Sequence, residues 1–141
     1  MFKLITILSI AIIAVFAFAC GAGGSSTSAA KPIKSGPAGN NLTVTISNAD
    51  GVLRKGNQNF TLTFADSSGK PVDVGSVSLN FFMPAMGSMS AMNAPTTFTT
   101  TGTPGVYSGK ADLEMSGEWQ AQITYEGPAG KGKATLPVTA Q

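Results

Sequence analysis

Histidine is absent from this 141-residue chain, and cysteine occurs once. Without imidazole there is no Ser–His or Cys–His catalytic pair, no histidine metal ligand and no ordinary proton shuttle at neutral pH. One cysteine excludes an internal disulfide framework and a cysteine-based zinc site. Charge is scarce as well: 11% of residues are charged and the formal net charge is +2. No run of Lys/Arg supplies the concentrated cationic footprint that nucleic-acid binding needs. No GxxxxGK[ST] motif opens a helix, so the glycine-rich stretches read as turns. Ser88, Ser90 and Ser116 have no histidine to activate them. Asp112, Glu114 and Glu118 are the only acids close together, and Asp112 and Glu114 alternate with Leu113 and Met115, which describes a solvated strand face. These absences argue against an enzyme.

What is present begins with an address. Met1-Phe2-Lys3 is a short positive start, and Leu4 to Ala19 is apolar except for Thr6 and Ser9. That length suits a signal-peptide core and is short for a membrane-spanning helix. The run ends in Ala17-Phe18-Ala19-Cys20-Gly21, which resembles a bacterial lipobox with Ala17 where leucine is more usual. Residues 1–19 are therefore expected to be a lipoprotein signal peptide, with lipid carried on Cys20. An acylated cysteine anchors through about 0.8 kcal/mol per buried CH₂. The protein is expected outside the cytoplasm, and on the outer membrane if the cell has two membranes, because Gly21 rather than aspartate follows the cysteine. Residues 20–41, with GAGGSSTSAAKPIKSGPAGNN after the cysteine, have almost no large apolar side chains and read as a flexible tether spanning roughly 25 Å.

From Leu42 the pattern has period two. Leu42, Val44 and Ile46 alternate with polar residues, as do Phe60, Leu62 and Phe64; Val77, Leu79 and Phe81; Trp119, Ala121, Ile123 and Tyr125; and Ala134, Leu136 and Val138. Such alternation marks strands with one wet face. Thr96–Thr101 and Val106–Leu113 are weaker candidates, the first polar enough for an edge. Pro137 suits only an edge strand or a bulge. Turn residues separate the runs, as at Asn48-Ala49-Asp50-Gly51 and Asp66-Ser67-Ser68-Gly69. No window shows a helical period. Residues 42–141 are expected to form an all-β, immunoglobulin-like antiparallel β-sandwich of about seven strands.

Four of the six methionines, Met83, Met86, Met89 and Met92, fall within ten residues at a spacing of three. They follow directly on a strand, in a segment whose Pro, Gly and Ser content indicates a loop. Thioether sulfur is neutral and polarizable, and selects Cu(I) or Ag(I) over hard ions. It needs no deprotonation and forms no disulfides in an oxidising compartment. Spacing of three would stack the sulfurs on one side of a turn or short 3₁₀ segment. Met83 also continues the inward parity of Leu79 and Phe81, which favours the core. Met115 and Trp119 are core candidates that would flank a bound cation if they reached the loop. Two other uses stay open: an adaptable adhesive surface for an envelope protein, and a sacrificial trap for oxidants.

Three blocks carry a resemblance: Phe82-Met83-Pro84-x-Met86-Gly87-x-Met89, Gly105-x-Tyr107-x-Gly109, and Leu113-x-Met115-x-Gly117-x-Trp119. Together they resemble the FixH/YtkA-like domain family over about residues 42–138. The resemblance implies an extracytoplasmic, membrane-attached β-sandwich beside copper efflux or oxidase-assembly components, with copper handling as a suggested role. Met83, Met86 and Met89 match the family's methionine block and Met92 extends it. The lack of histidine departs from copper carriers that combine both ligand types, and points to Cu(I) rather than Cu(II).

Overall fold

A computed structural model describes residues 29–141. The expected signal peptide, Cys20 and the tether up to Ser28 lie outside the described residues. Within them the chain forms nine strands and no helix. These are β1 (Lys31–Gly39), β2 (Leu42–Asn48), β3 (Gly56–Ala65), β4 (Ser76–Met83), β5 (Met92–Pro95), β6 (Thr97–Thr100), β7 (Val106–Leu113), β8 (Gly117–Gly127) and β9 (Gly130–Ala140). One sheet has the order β1-β2-β3-β7-β6, the other β5-β4-β8-β9, and every strand pair is antiparallel. The alternating residues place their apolar sides between the sheets: Ile46, Leu62, Phe64, Phe81, Trp119 and Ile123 are all almost wholly buried. Edge-on aromatic contacts bridge the layers, with Phe60 and Phe81 5.6 Å apart and Phe64 and Tyr125 5.2 Å apart. This is an immunoglobulin-like β-sandwich, with β9 at a sheet edge, where Pro137 is tolerated.

The expected tether boundary needs correction. Lys31–Gly39 is not tether but strand β1, paired with β2 through two register shifts, at Pro32/Lys34 and Pro37/Gly39. Its composition hides this, because most of its side chains are exposed and backbone pairing holds it. Gly36 lets the strand lie against Leu136 of β9, where a Cβ would collide with the leucine side chain. Asn40 and Asn41 then turn the chain with φ of 52° and 58°, the two positive angles that a tight two-residue hairpin requires. Asn40 Nδ2 donates to Tyr125 Oη and to the Lys131 carbonyl, both at 3.1 Å, tying the turn to the opposite sheet. The strand count of nine against about seven reflects β1 and the short β5.

Among the described residues three titrating groups have displaced pKa values, all away from neutrality. The Arg54 guanidinium holds Asp50 below its ordinary value. The Ser68 hydroxyl, at 2.6 Å, and then the Lys70 amide lower Asp66. Burial, with the nearby Asp73 carboxylate, raises Tyr107. The aspartates favour the fold above their ordinary 3.8, and that contribution is lost as pH falls through their lowered values. The Tyr107 contribution is complete below 10.0 and is lost as pH rises through its raised value. With no histidine, the melting temperature is expected to stay flat from about pH 5 to about 9. A scan by circular dichroism that shows a step near pH 6.5 would contradict this.

Candidate metal-binding site

The methionines gather at one end of the sandwich, where β4 ends and β8 begins. The expected loop is a hairpin. Met83 is the last residue of β4 and pairs with Met92, the first of β5. Farther out, Met86 and Met89 pair across a two-residue turn: Met86 N–H donates to the Met89 carbonyl at 3.1 Å, and Met89 N–H returns to the Met86 carbonyl at 2.9 Å. Gly87, with φ of 56°, supplies the positive angle needed at the first turn position. The spacing of three therefore does not stack sulfurs along a 3₁₀ segment, as expected from sequence. It nests two cross-strand pairs about Gly87-Ser88.

The two pairs differ in environment. Met83 is 2% exposed and belongs to the core, while Met92 is half-buried against it. Met86 and Met89 are 56% and 39% exposed. Pro84 separates the pairs, since it has no N–H to continue the ladder. Residues that exchange both backbone hydrogen bonds sit about 5.5 Å apart with side chains on one face. Flexible thioethers from that base can enclose one ion, whose two sulfurs would lie within about 4.6 Å of each other at the roughly 2.3 Å of a zinc–thiolate bond.

Met115 and Trp119 lie at the same end and pack into the core. The Trp119 ring is 1% exposed, and its Nε1 donates to the Met115 carbonyl at 3.1 Å, closing the bend into β8. Met115 packs half-buried against the core. Trp119 is thus almost wholly covered, although it contributes to a depression that Met86 lines. Gly117 matters here, because a Cβ on it would stand 3.2 Å from Met83 Cε. Beside the hairpin is a surface depression of about 410 Å³ lined by Pro84, Met86, Glu118, Gln120 and Pro137, with buried Trp119 contributing to its lining. No group of three or more His, Cys, Asp or Glu among the described residues could hold a metal ion. The sulfurs at this end are soft, neutral donors, a chemistry that suits a soft monovalent ion.

The model of the YtkA-like family matches residues 38–124, more than half of the chain. The chain belongs to the YtkA-like family. No curated protein and no solved structure matches it. In this YtkA-like domain the three sequence blocks have distinct structural duties. Gly105, just before β7, and Gly109, within it, flank Tyr107. At Gly109 a Cβ would stand 2.6 Å from the Phe60 ring and 2.9 Å from the Phe98 ring, so the aromatic side chains cover a bare backbone. Tyr107 Oη donates to the Gly75 carbonyl at 3.1 Å, pinning the crossing between sheets. The Met-x-Gly-x-Trp block closes the end of the sandwich, and the Met-Pro-x-Met block builds the exposed tip of this YtkA-like domain.

Proposed function

We propose that this YtkA-like protein is an extracytoplasmic lipoprotein that binds a soft monovalent cation, Cu(I) or Ag(I), at its hairpin tip. Met86 and Met89 are the donors, and Met92, half-buried across from Met83, is a further sulfur of the hairpin. Met83 supports the tip from the core. The observation that carries this reading is the reciprocal pair of backbone hydrogen bonds between Met86 and Met89, which sets two exposed thioethers opposite each other. The role is carriage or buffering, not catalysis, and the recipient would be a copper efflux or oxidase-assembly component. Titrating silver nitrate into the purified protein in chloride-free detergent solution tests it. Uptake of one equivalent is expected; no uptake would remove the reading.

Anchoring through Cys20 follows from the apolar run and the small residues before it. Changing Cys20→Ser is expected to prevent lipid attachment, seen as loss of label after growth with a radiolabelled or alkyne fatty acid. Equal labelling of both proteins would place the lipid elsewhere or nowhere.

A further inference from the structure

The tip donors are neutral, so they leave the charge of a bound cation uncompensated. We propose that Glu118 supplies that charge, acting across the depression from Met86 as the electrostatic partner of the methionine pair. This inference rests on Met86 and Met89 being the soft-cation donors.

The placement follows from the sheet. On β8 the inward positions are Trp119, Ala121, Ile123 and Tyr125, which turns Glu118, Gln120 and Gln122 outward. The β4–β8 register runs to Phe82 opposite Gln120. Continued two positions past its end, that register would set Pro84 opposite Glu118, on the side of the sheet where Met86 follows. Accordingly Met86 and Glu118 line one depression. Glu118 is the only charged residue in that lining, and it makes no salt bridge among the described residues. Its neighbours there include Pro84 and Pro137.

A carboxylate oxygen is a hard donor and a thioether a soft one. Sulfur therefore selects the ion, and Glu118 draws positive charge toward it. The two contributions separate experimentally. A charge acting through space is screened by salt, with a Debye length of about 10 Å at 0.1 M, whereas binding by neutral sulfur is not. At about 4 Å in water-like surroundings, one unit charge changes cation affinity by about fivefold.

The test uses the full protein in detergent, a silver-ion electrode, and sodium nitrate at low and high concentration. Glu118→Gln is expected to weaken Ag(I) binding about fivefold at low salt and to remove most of the salt dependence. Glu114→Gln, a change of the same charge at an exposed residue outside the depression, is expected to leave both nearly unchanged. Equal affinity and equal salt dependence in wild type and Glu118→Gln would overturn the role of Glu118 while leaving the methionine donors standing. So would equal effects of the two substitutions, which would reduce the result to net charge. If wild type takes up no Ag(I), the methionine reading itself fails and this inference falls with it.

Discussion

Replacing Trp119 with alanine is expected to cost about 3–5 kcal/mol of folding stability, the range for deleting a large buried aromatic. The ring is 1% exposed and among the largest wholly buried side chains. Its loss leaves a void between the sheets and removes the hydrogen bond from Nε1 to the Met115 carbonyl. A domain of this size has total stability of about 5–15 kcal/mol, so the variant should be partly unfolded in mild urea. Trp119→Phe separates the two terms, because it refills most of the volume but restores no donor. Urea unfolding followed by circular dichroism measures both. A cost below about 1 kcal/mol for Trp119→Ala would mean that this end of the sandwich is loosely packed.

The second large effect is on binding. Changing Met86 and Met89 together to leucine is expected to lower Cu(I) affinity by more than about 100-fold. Loss of outer-shell partners alone typically costs 10–100-fold, and this change removes donors. Stability should move by less than about 0.5 kcal/mol, since both side chains are exposed and away from the core. Leucine conserves apolar character and volume, so a folded, non-binding protein is the expected product. Changing Met83→Leu should leave affinity nearly intact, because that sulfur is enclosed by the core. Competition with a chromophoric Cu(I) chelator reads all three proteins.

Much of the fold was legible because strand burial writes itself as period two. The runs at Leu42–Ile46, Phe60–Phe64 and Trp119–Tyr125 are buried on the side that alternation indicates. Val106–Leu113, a weaker candidate, is a central strand whose inward row includes Gly109; there Phe60 and Phe98 supply the apolar cover that the glycine lacks. Strand β1 was illegible for the opposite reason. It is held by backbone pairing along an edge, and its Lys, Pro, Ser and Gly side chains have the composition of a linker.

At the tip, the sequence displayed the methionines but not their pairing. A spacing of three suits a 3₁₀ turn, yet Met83/Met92 and Met86/Met89 are also placed symmetrically about Gly87-Ser88. A glycine at the first position of a two-residue turn, centred in that symmetry, is the signal for a hairpin. The parity of Met83 correctly marked it as core. Glu118 carried no such mark, because it comes to share a depression with Met86 only through the folding of β4 against β8, across some thirty residues of chain.

The two exposed sulfurs at the hairpin tip are expected to take one soft ion between them. Magnetic resonance of isotope-labelled methionine methyl groups during Ag(I) titration tests it most directly. The methyl signals of Met86 and Met89 should shift together and stop at one equivalent, while that of Met83 stays in place. If Met86 and Met89 do not respond to the ion, or if only Met83 and Met115 do, the tip is not the binding site.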